Sequence, residues 1–270
     1  MSNPLGNLQA SNADREPKLR TIFETVPRSG PWNMAIDEAL LENSLLTGDA
    51  VLRWYRWESP TLSLGYFQEP PDLQAQPLLR ELPLVRRLSG GGAILHDQEW
   101  TYSCVLPPSH PLTNRPHDLY LVVHKAIIQT LSNFRMQTRL RGESLNFAAG
   151  EPFLCFLRGD PCDVLHGPHK VLGSAQRRRR GAVLQHGSLI LRASRCAPEI
   201  PGLRELSGIS PDEMELGRAL EATVARSLEF PPVPDELSPA ELSLAETFLQ
   251  TRYAGKIDWN RPAFDSSRSS

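Results

Sequence analysis

Short apolar runs of strand character alternate along the chain with longer helix-like segments, which predicts an α/β or α+β domain. Two further observations agree. Helix starts are spelled out twice, as Ser210-Pro211-Asp212-Glu213 and Ser238-Pro239-Ala240-Glu241. In addition, 270 residues with 40% in the apolar set suit one large globular domain with an ample core.

Taken in order, residues 1–18 are polar, contain Pro and Asn, and read as a disordered leader. Residues 33–46 form an amphipathic helix, with Met34, Ile36, Ala39, Leu40 and Leu41 on its apolar positions. Strand-like runs follow at 51–57 and 61–66, parted by the turn signal Glu58-Ser59-Pro60. Runs at 84–87 and 93–96 flank a glycine cluster, and 101–106 reads as another strand. A helix is expected over 117–134, opening after Pro116. Residues 155–191 are broken by Gly and Pro, and only 182–191 is strand-like. The two Ser-Pro-x-Glu signatures place Ser at the N-cap, Pro at the first helical position and Glu three residues past the cap. The Pro-rich stretch 230–234 links these last two helices, and residues 263–270 form a flexible tail.

The formal net charge of -2 is unlike that of a general nucleic-acid binder, which carries a basic excess. No run nears the ~18 apolar residues of a membrane helix. The N-terminus has no apolar signal core, so a cytoplasmic protein is expected, with no membrane and no nucleic-acid partner. Four cysteines (Cys104, Cys155, Cys162 and Cys196) form no CxxC pair. A disulfide scaffold and a zinc site are therefore not expected, and no metal is. The basic residues are skewed: only Lys18, Lys125, Lys170 and Lys256 among 29 are lysine. A lysine inside a motif then invites a reason, because its compact charge on a flexible stem differs from the planar fork of arginine.

Three segments could carry chemistry. In Arg86-Arg87-Leu88-Ser89-Gly90-Gly91-Gly92-Ala93-Ile94-Leu95-His96, the glycines allow close backbone approach with amides free to face a ligand. By itself the run also fits a tight hairpin with solvated arginines, and it is neither a Walker motif nor a GxGxxG fingerprint. Lys170-Val171-Leu172-Gly173-Ser174-Ala175-Gln176 could set an ammonium against a carbonyl at a turn, or be an exposed lysine before that turn. Gln185-His186-Gly187-Ser188 lies in an apolar run, where His186 is either a pocket residue or a hydrogen-bonded structural one.

In this order and spacing the three segments resemble the lipoate–protein ligase and octanoyltransferase family, whose relatives include biotin–protein ligase. Further matches are Asn33-Met34-Ala35-Ile36-Asp37-Glu38-Ala39-Leu40, Ser63-Leu64-Gly65-Tyr66-Phe67-Gln68 and His96-Asp97-Gln98-Glu99-Trp100-Thr101-Tyr102-Ser103. Tyr253-Ala254 and Asp258-Trp259-Asn260 resemble the family's C-terminal end. The resemblance spans residues 20–262 and implies one catalytic domain over 19–262. It implies a mixed β-sheet flanked by helices, as in class II aminoacyl-tRNA synthetase and biotin synthetase cores. It also implies that the glycine loop lines an acyl pocket and that Lys170 contacts the acyl carbonyl. Arg87, Gly90, Gly91, Gly92, His96, Gly173, Ser174 and His186 are the implied substrate-binding set.

Two activities divide the family: ATP-dependent ligation of free lipoate, and transfer of octanoate from acyl carrier protein. One transferase branch uses a cysteine in a C-F sequence upstream of the lysine motif, and here Cys155-Phe156 stands fifteen residues before Lys170. The resemblance therefore implies an octanoyltransferase with Cys155 and Lys170 catalytic. The donor it implies is octanoyl-acyl carrier protein, and the acceptors it implies are lipoyl domains of the glycine-cleavage H protein or 2-oxoacid dehydrogenase E2. A thiolate can attack a thioester with little change in bond energy, and a nearby cation favours the thiolate. Read from its neighbours alone, Cys155 is instead a buried apolar cysteine. No cofactor is expected, whereas ATP and magnesium would be needed if the chain were a ligase. A relay amidotransferase moving octanoate between lipoyl domains, and a silent binding module for such domains, are the other readings. The arginines 177–180 form either a solvated hairpin tip or a basic patch for an acidic partner.

Overall fold

A computed structural model describes residues 17–68, 77–143 and 153–253. The expected tail (263–270), the leader except for positions 17 and 18, and the Asp258-Trp259-Asn260 segment lie outside them. The mixed α/β architecture is as expected.

Strand β1 (Leu19–Phe23) leads to helix α1 (Gly30–Thr47), then β2 (Ala50–Tyr55) and β3 (Thr61–Leu64). A helical turn α2 (Pro77–Arg80) precedes β4 (Leu84–Arg86), β5 (Ile94–His96) and β6 (Glu99–Leu106). Helix α3 (Pro116–Asn133) is followed by β7 (Arg139–Leu140), β8 (Val164–His166), β9 (His169–Arg179) and β10 (Ala182–Ile190). The chain ends through α4 (Leu203–Ser207), α5 (Glu213–Ser227), β11 (Pro232–Pro234) and α6 (Pro239–Phe248). Eight strands form one sheet in the order β11-β1-β2-β6-β10-β9-β8-β7, parallel across β11-β1-β2 and antiparallel elsewhere. A second sheet, β4-β3-β5, carries the glycine loop between β4 and β5.

The strand period of two splits the large sheet into unlike faces. Leu52, Trp54, Trp100, Tyr102, Leu106 and Val183 point to one side, where α3 and α5 cover them in an apolar core. The intervening residues, among them Arg53, Thr101, Ser103, His186 and Ser188, are buried on the other side. There α1 lies on the sheet and α6 packs against α1. Helix α1 is consequently buried nearly all round, including Asn33, Asp37 and Glu38, and is not the half-wet helix its apolar positions predict. A third apolar cluster joins the small sheet to Leu154, Phe156 and Ile190.

Several local readings change. Lys170-Gln176 is not a turn but part of β9, Lys170 pairing with Leu165 of β8 and residues 172–176 with β10. The segment 230–234 includes an edge strand, β11, which pairs with β1. Two prolines are tolerated there because an edge need not donate inward. Helix α5 starts at Glu213 with Asp212 as its cap, its carboxylate accepting from the Glu215 amide at 2.8 Å, so Ser210 is not the N-cap. The second signature forms as expected: the Ser238 hydroxyl accepts from the Glu241 amide at 3.2 Å, and the Glu241 carboxylate accepts from the Ser238 amide at 2.8 Å. Glu241 also binds Arg20 of β1 and, at 2.9 Å, Asn43 of α1, so this cap ties three elements together.

Replacing Ser238 by Ala removes one half of that cap. The expected cost is about 1 kcal/mol, which thermal denaturation should register as a fall in Tm of ~3 °C.

Candidate active site

The site is built where the glycine loop, a one-turn 3-10 segment and the start of β9 meet. Leu154 bridges to Ala93, and the Cys155 amide donates to the Ala93 carbonyl at 2.7 Å. This pins the cysteine turn (Cys155–Leu157) to the end of the loop. Lys170 reaches it from β9: its Nζ lies 3.9 Å from Cys155 Sγ and 3.4 Å from the Cys155 carbonyl oxygen. Lys170 is buried, with Nζ 2.9 Å from Asp163 Oδ1, so it is not the exposed lysine of a turn. Burial lifts the Asp163 carboxyl above the usual carboxylate range, against the pull of the Lys170 charge. The lysine stem crosses directly over Gly173, where a Cβ would come within 2.4 Å of Lys170 Cε and 2.7 Å of Nζ. That contact is the physical reason for glycine at 173.

Arg87, from the end of β4, is the second cation. Its terminal nitrogens donate to the carbonyls of Ser63 (2.9 Å), Gly90 (2.7 Å) and Gly92 (2.7 Å), and to the Ser63 hydroxyl at 3.2 Å. Among the described residues no carboxylate pairs with it. Burial pulls its guanidinium down to about 10, and the opposing influence is the thiolate form of Cys155. Its bonds clamp the glycine loop. Gly91 sits at φ +89°, in the left-handed region, and its carbonyl would meet a Cβ on Gly65 at 1.9 Å. The loop therefore lies flush on the end of β3.

His186 braces this loop directly, and His96 does so only through Ser63. His186 of β10 meets the Ser89 hydroxyl through Nε2 and faces Asp37 through Nδ1 at 3.5 Å. Asp37 in turn accepts from Arg53 and from the Tyr55 hydroxyl, each at 2.9 Å. Burial alone would raise the Asp37 carboxyl, but the His186 bond and the Arg53 charge reverse this and hold it below the usual carboxylate range. Burial lowers His186, so its neutral ring donates toward Asp37 and accepts from Ser89. His96 stacks on Trp57 with centroids 3.8 Å apart, and its nitrogens meet Glu99 (2.7 Å) and the Ser63 hydroxyl (2.8 Å). Ser63 thus stands between Arg87 and His96.

The structure brings Cys155, Lys170, Gly173, Arg87 and the loop Gly90-Gly91-Gly92 together, with His96 and His186 one hydrogen bond removed from Arg87's neighbours. Ser174 is not with them. Its hydroxyl points to the α3 side, 2.8 Å from the Tyr102 hydroxyl and 2.7 Å from His124 Nε2. Burial holds His124 down to about 4, so the ring is neutral and its Nδ1 donates to the Cys162 carbonyl at 2.6 Å. The arginines at the β9–β10 tip are tied down: Arg179 and Arg180 pair with Glu42, Arg178 binds the Thr113 carbonyl, and Arg177 lies over the Tyr66 ring. Sequence reading missed Asp163 and gave Asp37 and Ser89 no role. A shallow, mostly apolar cleft of about 20 Å³, lined by Ala93, Leu95, Leu154, Phe156 and Ile190 among others, borders the cysteine turn. Among the described residues no cluster of side chains could hold a metal ion, and no helix is long and apolar enough to cross a membrane.

Comparison with known proteins adds the following. Residues 29–207 match the family described as lipoyl protein ligase A/B catalytic domain. Octanoyltransferase LipM of Brevibacillus brevis is 30% identical over 266 residues, covering 87% of this chain and 96% of that protein. The protein of the same name from Moorella thermoacetica is 42% identical over 179 residues, 60% of this chain and 62% of its own. Among solved structures, a lipoate-protein ligase A bound with ATP superposes with a TM-score of 0.69 at 23% identity, over 93% of this chain and all (100%) of that one. A bi-partite lipoate protein ligase from Thermoplasma acidophilum gives 0.69 at 20% identity, over 92% and 98% of the two chains. At these identities the structures establish the shared fold.

His124 and His186 are both held neutral by burial, below their unfolded value. Their contribution to stability is therefore full above pH ~6.5 and is lost as pH falls. For His124 the loss between pH 6.5 and its folded value of about 4 is on the order of 3 kcal/mol. Urea unfolding at pH 7 and pH 4 should show the drop, and His124→Gln should shrink the difference between the two conditions.

Proposed function

Because this chain belongs to the lipoyl protein ligase A/B catalytic-domain family, we propose that it is an octanoyltransferase working through a thioester on Cys155. The donor is octanoyl-acyl carrier protein, and the acceptor is a lysine of a lipoyl domain, in the glycine-cleavage H protein or a 2-oxoacid dehydrogenase E2. Relatives bearing the name octanoyltransferase LipM support the acyl group and the reaction class. The observation that carries the mechanism is the thiol itself, with Lys170 Nζ 3.9 Å from its sulfur and Arg87 as a second buried cation.

The Cys155 thiolate attacks the octanoyl carbonyl carbon, forming a C–S bond. As the tetrahedral centre collapses, the carbon–sulfur bond to the carrier breaks, and the carrier thiolate leaves and takes up a proton. The lipoyl-domain amine then attacks the octanoyl-Cys155 thioester. A C–N bond forms, the amine loses a proton, and Cys155 leaves as the thiolate it began as. Negative charge appears on sulfur or on the carbonyl oxygen at each stage. Lys170 beside the sulfur, and the buried Arg87 whose charge also reaches it, stabilise it without reorganising during the reaction. No ATP or magnesium enters this sequence.

The test is intact-protein mass spectrometry after mixing with octanoyl-acyl carrier protein in the absence of ATP. An octanoyl adduct is expected on the wild type and not on Cys155→Ala. Lys170→Met should slow adduct formation about a hundredfold, the cost of removing one charge-stabilising donor. No adduct, together with lipoate attached to a lipoyl domain only when ATP and magnesium are supplied, would establish the ligase instead.

A further inference from the structure

A lysine beside a thiol is not by that fact useful. Its stem has four rotatable bonds and its ammonium prefers water, so an unrestrained Lys170 would spend little time against the sulfur. Here the ammonium is restrained by a carboxylate outside the sequence motifs. Asp163 Oδ1 takes one Lys170 N–H at 2.9 Å, while the others face the Cys155 carbonyl oxygen at 3.4 Å and its Sγ at 3.9 Å. Asp163 is itself immobilised. Its other oxygen accepts from the Asp160 amide at 2.7 Å and lies 3.4 Å from Arg141 Nε. Its own amide donates to the Asp160 carbonyl at 2.9 Å, and the preceding carbonyl, of Cys162, is held by His124. Gly173 closes the other side, leaving the lysine stem one path.

We infer that Asp163 is a positioning residue: its carboxylate fixes the Lys170 ammonium against Cys155 and thereby sets how readily that thiol ionises. This rests on Cys155 as the nucleophile of the proposed transfer. A second reading, in which Asp163 only compensates the buried lysine, makes an opposite prediction. Removing a mere compensating charge would leave an unopposed cation beside the sulfur, and the thiol would ionise more easily. Removing a positioning group lets the ammonium swing away, and the thiol ionises less easily. The charged and titratable groups around the pair are Lys170, Arg87 and, against Gly92, Arg158 on the thiol side, with Arg141, Asp160, Cys162 and His124 around the carboxylate.

The measurement is the rate of Cys155 alkylation by iodoacetamide against pH, read by peptide mass so that Cys104, Cys162 and Cys196 do not contribute. Asp163→Asn should raise the midpoint by about one pH unit, the size of effect a single close charge has. Below the midpoint that is roughly tenfold slower alkylation. Lys170→Met should give a similar rise, and the double variant no further one. Gly173→Ala leaves every charge in place but pushes the ammonium aside, so it too should raise the midpoint. A midpoint that falls or stays put in a folded Asp163→Asn protein overturns the inference, as does a double variant whose effects add. Should Asp163→Asn not fold, Gly173→Ala decides alone, and an unchanged midpoint there is fatal. The assay uses no acyl carrier, so a missing octanoyl adduct would sink the proposed transfer while leaving this result standing.

Discussion

The Asp37 carboxylate sits at the one point where helix α1, strands β2 and β10 and the glycine loop are all within one or two hydrogen bonds. Sequestering a charge there costs several kcal/mol before any partner is counted. The cost is offset because every side of the carboxylate is met: Arg53 and Tyr55 from β2, and His186 from β10. Arg53 is just as deep, so it needs Glu24, at 2.5 Å, and the Asn33 side chain, at 2.8 Å, to complete its fork. Buried ions of this kind tolerate no slip. A shift of one residue in β2 would turn Arg53 into the apolar core under α3 and leave Asp37 uncompensated. The polar seam therefore sets the register of the sheet against α1, and through His186 and Ser89 it sets the height of the glycine loop.

The two faces of the large sheet divide the work. The α3–α5 face is dry and closes with tryptophan, tyrosine and leucine, apart from one hydrogen-bonded file. In that file Gln176 donates to Gln185 and Gln185 to Tyr102, the Tyr102 and Ser174 hydroxyls share a hydrogen bond, and Ser174 meets His124. At its end the tautomer of the neutral His124 ring follows from Nδ1, which must donate to the Cys162 carbonyl and so leaves Nε2 to accept from Ser174. The α1 face carries the ions and supports the loop. Ser174 and Gly173 are adjacent in sequence and face opposite ways. One braces the strand from behind, and the other leaves the room that Lys170 crosses.

How much of this was legible follows from the range of each interaction. The helices at 33–46 and 117–134, the strands at 51–57 and 101–106, and the Ser238 cap are written in local pattern and are found within a few residues. Strand β9 was not legible, because Gly173 and Ser174 are turn residues by preference and become strand only through pairing with β10. The burial of Lys170 has the same origin. Its partner Asp163 lies seven positions back, across the β8–β9 hairpin, and no spacing rule brings the two together. The Ser210 signature failed because Asp212, two residues on, caps the helix instead, accepting from the Glu215 amide. The candidate site was legible as a set of residue types, but its electrostatics were not, since Asp37 and Asp163 are ordinary acids until the fold removes water from them.

Lys170 and Arg87 are not redundant, because they act on the pocket in different ways. Lys170 and Asp163 together are close to neutral, so beyond a few ångströms their fields largely cancel. What remains is directional, an N–H donor pointed at sulfur. Arg87 has no carboxylate partner among the described residues. Its hydrogen bonds go to carbonyls and a hydroxyl, whose dipoles stabilise the guanidinium without cancelling its charge. An uncancelled charge in a buried site favours an anion that arrives. Burial pulls Arg87 down to about 10 and the thiolate form of Cys155 pulls it back. The glycine loop enters this balance as the carbonyl cradle that keeps an arginine charged where water does not reach it. Its Gly90 and Gly92 carbonyls can turn toward Arg87 only because Gly91 adopts a backbone conformation that a side chain would oppose.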